Sequence, residues 1–84
     1  MPRFNGVELT PETITATHAW FANNAQACID EAVSGAVRVN DLSSYVAWRQ
    51  QDIDRHRAGI GGTSFAFLQR AYYIQTGESV PLFA

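Results

Sequence analysis

Lysine is absent from this chain of 84 residues, and cysteine occurs once. The single cysteine, Cys28, excludes an intramolecular disulfide. Eight acidic and six basic residues give a formal net charge of −2. A balance this mild disfavours both polyanion binding and mimicry of a nucleic acid. The six bases are all arginines, and two explanations stay open: a preference for planar guanidinium groups at binding sites, or a biased base composition of the gene.

Long apolar segments are missing as well. No stretch approaches the roughly 20 apolar residues of a membrane span, and the opening Met-Pro-Arg-Phe-Asn-Gly lacks the features of a secretory leader. We therefore expect a cytoplasmic location and no membrane partner. Hydrophobic residues make up 46% of the chain, which is typical of a folded protein. The length predicts a single small helical domain over residues 1–84.

Three segments show the apolar periodicity and the end signals of helices. Thr10 supplies an N-cap hydroxyl before the first segment, and Gly35 suits the position after its end. The predicted helices are Pro11–Ser34, residues 42–58, and a third that follows a cap at Thr63 or Ser64 and ends near Thr76. The third has the widest apolar arc, so we expect it to be the central helix, held between the other two.

The first ten residues are predicted to be extended, with a turn at Asn5-Gly6. Strands as short as Arg3–Phe4 and Val7–Glu8 are not stable alone. The apolar tail after Ser79 is expected to pack back onto the helices. The predicted fold class is all-α: a compact three-helix domain with a short extended N-terminal segment and a C-terminal tail. The alternative is α+β, with a minimal two- or three-stranded sheet formed by residues 4–9, residues 36–39 and the tail.

The spacing of apolar residues assigns an inner face to each helix. On the first helix this face contains Ile14, His18, Phe21, Ala25, Cys28 and Ala32, with Ile29 beside them. On the second helix it contains Leu42, Val46 and Ile53. On the third helix the arc contains Phe65, Phe67, Leu68, Ala71, Tyr72 and Ile74.

No pattern of catalytic residues is recognisable. His18 and Cys28 lie on one helix about 15 Å apart along its axis, too far for a nucleophile and its base. Asp52 and His56 have the i, i+4 spacing of two metal ligands, but two ligands do not complete a site. The glycine-rich loop at residues 59–64 follows a helix and lacks the lysine of a phosphate-binding loop. We therefore expect no enzyme activity, no catalytic residues, no cofactor and no metal.

The two tryptophans point away from these inner faces, each by roughly 120° when residues are placed at 100° intervals. Trp48 groups with polar and charged side chains, and tryptophan and arginine are enriched at the binding hot spots of interfaces. The predicted partner-binding residues are Ser44, Trp48, Arg49, Asp52, Arg55 and Tyr73. Trp20 is interpreted either as covering a second helix contact or as part of a second interface.

The sequence thus favours a non-catalytic protein–protein interaction module: a small adaptor, regulator or inhibitor that sterically occupies a partner's site. The partner is another protein, or a second copy in a homodimer. The alternative is a nucleic-acid-associated regulator in which Arg49, Arg55 and Arg57, with Trp48, form an arginine–aromatic patch that stacks on single-stranded bases. Aspartates three residues before Arg55 and Arg57 favour local ion pairs instead, so nucleic-acid binding is the weaker hypothesis.

Overall fold

The computed structural model describes residues 2–80, which contain three helices and a two-stranded hairpin. The strands are β1 (Arg3–Phe4) and β2 (Val7–Glu8), and the helices are α1 (Pro11–Ser34), α2 (Leu42–Arg57) and α3 (Phe65–Thr76). The prediction of a three-helix domain with an extended N-terminal segment is confirmed. The tail at residues 81–84 lies outside the described residues.

Local capping chemistry sets the helix ends. The Thr10 hydroxyl accepts from the Thr13 amide, and Gly35 takes the left-handed conformation after α1, at φ 85°. Asp41 caps α2 and Ser64 caps α3, each through its side chain. Ala58 is the C-cap of α2, so that helix is one residue shorter than predicted.

The helix at the centre is α1, and the prediction that the third helix is central was wrong. α1 packs against both α2 and α3. At 24 residues it is about 36 Å long, which leaves room for two neighbours on different faces. The wide apolar arc of α3 has another cause, because Phe4 of the hairpin contacts Phe65 and Tyr72, with ring centroids 5.5 and 5.9 Å apart.

The hairpin is antiparallel, with Arg3 opposite Glu8 and Phe4 opposite Val7. Hydrogen bonds also join the second strand and the residues after it to α3. The side chain of Gln75 accepts from the Thr10 amide at 3.0 Å and donates to the Glu8 carbonyl at 2.9 Å. Residues 36–39 form no strand, so that part of the alternative sheet was wrong, and within residues 2–80 the sheet has two strands. The part of the alternative that involved the tail lies outside the described residues.

The core lies between α1 and α2 and is built around small residues. Ala22, Ala25 and Ile29 of α1 are buried together with Ile53 of α2, and Val46 packs against them. Several predicted inner residues lie at the edge of this contact: Ile14, Phe21 and Cys28 are partly exposed, and Leu42 is 43% exposed. Alanines mark the contact because they let the two helix backbones approach closely.

Buried threonines replace apolar residues at the start of α1. Thr13 and Thr17 are buried, and the Thr17 hydroxyl donates to the Thr13 carbonyl at 2.7 Å. This bond satisfies the hydroxyl inside the helix, so its burial needs no partner from another element. The prediction was right for Ala25, Ile29 and Ala32, which are buried, but hydropathy alone does not identify the buried Thr13 and Thr17.

Candidate partner-binding surfaces

The N-terminus of α2 holds one end of the predicted partner-binding surface in place. Asp41 accepts from the Ser44 amide at 3.1 Å and from the Ser44 hydroxyl at 3.0 Å. These two hydrogen bonds lower the pKa of Asp41. Ser44 thus serves the helix cap, and its hydroxyl is engaged there.

Trp48 and the residues around it form the surface that we call the Trp48 face: Ser44, Tyr45, Trp48, Arg49, Asp52 and Arg55. Trp48 is 51% exposed. Its ring lies 5.9 Å from that of Tyr45 at 69°, an edge-to-face contact. The Arg49 guanidinium lies 4.5 Å from the Trp48 centroid and 5.6 Å from the Tyr45 centroid. The indole is therefore stacked on one cation and still open to solvent.

Asp52 connects the charged residues of the Trp48 face. It pairs with Arg49 at 3.7 Å and also with Arg55. Arg49 donates to the Tyr45 hydroxyl at 3.4 Å, and this bond is the main influence that raises the pKa of Arg49. Residues one turn apart on α2 thus hold each other in position, as i, i+3 and i, i+4 pairs do on helices.

Tyr73 lies with Trp20 in a second cluster on α1 and α3. The Arg70 guanidinium lies 4.1 Å from the Trp20 centroid and 5.3 Å from the Tyr73 centroid. Trp20 is 37% exposed and meets Phe21 edge to face at 5.0 Å. Trp20 therefore both packs against α3 and lines a surface.

This second cluster borders a groove of about 390 Å³, which we call the Arg70 groove. Its lining residues are Trp20, Phe21, Ala66, Gln69, Arg70, Tyr73 and Ser79. Trp20 and Tyr73 were predicted surface residues, but no pattern in the sequence paired them with Arg70. One feature of the sequence could have drawn attention to Arg70, because it is the only charged residue of α3.

A pair of histidines is the contact that sequence reasoning missed. Nδ1 of His18 and Nδ1 of His56 lie 2.9 Å apart, and His18 is 7% exposed. Burial, and to a smaller extent the charge of His56, lowers the pKa of His18. Phe67 lies 4.6 Å from the His18 ring, and Phe21 stacks on His56 at 5.2 Å. His18 was assigned to the inner face of α1 and His56 was considered with Asp52, and no sequence pattern paired the two histidines across two helices.

The residues considered as metal ligands or as local ion pairs have other partners in the structure. Asp52 pairs with arginines and His56 with His18, so the i, i+4 pair does not act as one unit. Asp54 accepts from Gln50 at 3.1 Å, and the expected ion pair between Asp54 and Arg57 is not formed. Among residues 2–80 no three histidine, cysteine or acidic side chains are grouped as metal ligands.

The glycine-rich loop between α2 and α3 has a structural role. Gly59 follows the C-cap of α2 at φ 71°, and Ser64 at the other end caps α3. Gly62 has φ 92°, and a Cβ there would lie 3.2 Å from a ring carbon of Phe67. The loop therefore passes close to Phe67, which packs against His18. A residue other than glycine at position 62 would be strained by this close contact and by the positive φ.

Comparisons with protein-family models, with curated proteins and with solved structures find no match to this chain. No helix within residues 2–80 has both the length and the apolar character needed to cross a membrane. Function is therefore inferred from the geometry of the two surfaces.

Proposed function

We propose that this protein is a non-catalytic protein–protein interaction module that binds its partner through the Trp48 face. It acts as a small adaptor, regulator or inhibitor by sterically occupying the partner's site. The single observation that carries the proposal is the half-exposed indole of Trp48, stacked on Arg49. A large aromatic side chain that stays exposed on a folded helix gains most when a partner's pocket desolvates it.

The fixed geometry of the Trp48 face supports this proposal. Arg49 contacts Tyr45, Trp48 and Asp52, so its long side chain is already ordered. Ordering such a side chain on association costs about 0.5–1.5 kcal/mol, and a surface that is ordered beforehand avoids part of that cost. Trp48 and Arg49 therefore have the properties of a binding hot spot.

The electrostatics of the face favour a protein partner over a nucleic acid. Arg49 and Arg55 both pair with Asp52, so one carboxylate offsets part of their charge. The whole chain carries −2. Phosphate backbones are bound chiefly through accumulated positive charge, and here little accumulates.

The decisive experiment compares three immobilised forms of the chain: wild type, Trp48→Ala and Gln50→Ala. Gln50 is exposed on α2, about 160° around the helix from Trp48, and is the matched control. We expect a partner from lysate of the source organism that wild type and Gln50→Ala retain and that Trp48→Ala loses by at least about tenfold. Quantitative mass spectrometry at low and moderate salt measures the retention.

Two results would contradict the proposal. One is that Trp48→Ala retains the same proteins as the control. The other is retention that depends on added nucleic acid and falls steeply with salt, which would favour the nucleic-acid alternative. Light scattering over a hundredfold range of concentration tests the homodimer form of the proposal. In that form a dimer persists on dilution, and Trp48→Ala converts it into a monomer.

A further inference from the structure

The Arg70 groove is separate from the Trp48 face and shares no residue with it. Side chains of α1 form one wall and side chains of α3 form the other. At about 390 Å³ it is large enough for one or two side chains of another molecule. Trp20 and Tyr73 are both partly exposed beside it, at 37% and 45%. The groove thus offers an aromatic surface next to a single cation.

Arg70 has no ion pair within residues 2–80, where the pairs that form are those of Arg49 and Arg55 with Asp52. The rings of Trp20 and Tyr73 instead hold its guanidinium. Stacking uses the faces of a guanidinium and leaves the N–H groups in its plane free to bind an acceptor. These donors match the two oxygens of a carboxylate, which a guanidinium binds with two parallel hydrogen bonds.

Charge further narrows the class of ligand. Among the described residues that line the groove, Arg70 is the only one charged at pH 7, so these residues give the groove a positive charge on a chain of net charge −2. One cation beside several apolar surfaces is too little for a phosphate backbone. It suits a single carboxylate that is accompanied by an apolar side chain.

We propose that the Arg70 groove binds an acidic peptide segment of another protein, in which an aspartate or glutamate adjoins an aromatic or aliphatic residue. The carboxylate pairs with Arg70, and the apolar neighbour packs against Trp20 and Ala66. This inference goes beyond the proposed function, because it assigns a second binding surface to the chain and does not require the Trp48 face.

Two blocked tripeptides test this proposal, acetyl-Leu-Phe-Asp-amide and acetyl-Leu-Phe-Asn-amide, which differ in one negative charge. NMR titration of the full chain follows the amide signals of Ala66, Gln69 and Arg70. We expect the aspartate peptide to bind about tenfold more tightly than the asparagine peptide. Arg70→Gln should reduce this ratio to about one, while Arg49→Gln, which alters an arginine of the Trp48 face, should leave it unchanged.

Arg70→Lys distinguishes the loss of the guanidinium from a failure of Arg70→Gln to fold. It keeps the charge but loses the planar fork, so the ratio should lie between those of wild type and Arg70→Gln. Equal binding of the two peptides to wild type would overturn the proposal, as would signal changes centred on Trp48. A stronger response to a pyrimidine oligonucleotide would assign the groove to nucleic acid instead.

A further variant tests whether the chain itself fills the groove. If Phe83→Ser raises the affinity for both peptides by more than about tenfold, the occupant is the protein's own tail, and the proposal of an external partner fails. Unchanged affinity in that variant supports an external partner. The Arg70 and Phe83 variants leave the Trp48 face unaltered, so their outcome is independent of the partner captured through Trp48.

Discussion

The most unusual residues of this protein are the two histidines that bond to each other inside an aromatic cluster. At 2.9 Å, one Nδ1 donates and the other accepts, so at least one imidazole is neutral. Protonation of both rings would remove the acceptor and place two positive charges in contact. Phe21 and Phe67 stack on His56, Phe67 also lies beside the His18 ring, and no carboxylate among residues 2–80 forms an ion pair with either histidine.

The histidine pair predicts that stability falls on acidification. The pKa of His18 is lower in the folded protein than its usual value of 6.5, so below that pH the unfolded chain binds more protons. The free energy of unfolding should therefore be fully retained above about pH 6.5 and decrease as the pH falls toward the folded pKa. Urea unfolding between about pH 8 and pH 5 measures this slope.

His18→Gln supplies the control for that prediction. Glutamine can still hydrogen-bond to His56 but does not titrate, so the slope below pH 6.5 should become shallower than in wild type. A slope that His18→Gln leaves unchanged would show that other groups cause the acid sensitivity. If the free energy of unfolding of the wild type increased as the pH fell from about 8 to about 5, the result would contradict the burial of a neutral His18.

At the scale of the helices, the ends were predictable from sequence and the packing only in part, since Ala25, Ile29 and Ile53 are buried as predicted. Thr10, Gly35 and Ser64 act on amides or carbonyls within a few residues, so their effect can be recognised from local sequence. Which face of α1 meets α2 depends on residues far apart in the chain. The predicted face of α1 included Ala25, which is in the core, but it also included Phe21 and Cys28, which are partly exposed, and it omitted the buried Ala22.

This contact predicts a clear difference between two alanines of α1. Ala25 is 3% exposed in the core with α2, whereas Ala27 is exposed on the same helix. Ala25→Leu should lower the free energy of unfolding by about 1–3 kcal/mol, because the added atoms have no space. Ala27→Leu should change it by less than about 0.5 kcal/mol. Urea unfolding compares the two, and equal effects would mean that α1 packs through another face.

The candidate site was predictable only in part, for the same physical reason. The Trp48 face lies on one helix, so helical periodicity alone groups Ser44, Trp48, Asp52 and Arg55. The Arg70 groove joins two helices, and Tyr73 was grouped with Trp48 because no local pattern shows which helix α3 packs against. Surfaces within one element can be predicted from sequence, whereas surfaces between elements need the tertiary structure.

At the scale of the whole molecule, folding and binding use different residues. A chain of this length has a total stability of about 4–13 kcal/mol, so one core substitution removes a large share of it. Ile53 is fully buried between α1 and α2, while Trp48 on the same helix is 51% exposed. The two residues therefore test whether the Trp48 face can be altered without loss of the fold.

Ile53→Ala should lower the free energy of unfolding by about 2–5 kcal/mol, and Ile53→Val by about 0.5–1.5 kcal/mol, because the cavity that each leaves scales with the atoms removed. Trp48→Ala should change it by less than about 1 kcal/mol, since much of the indole is already in water. Urea unfolding of the three variants at one pH measures the differences. If Trp48→Ala costs as much as Ile53→Ala, the indole stabilises the fold, and a loss of partner binding in that variant would report unfolding rather than a binding surface.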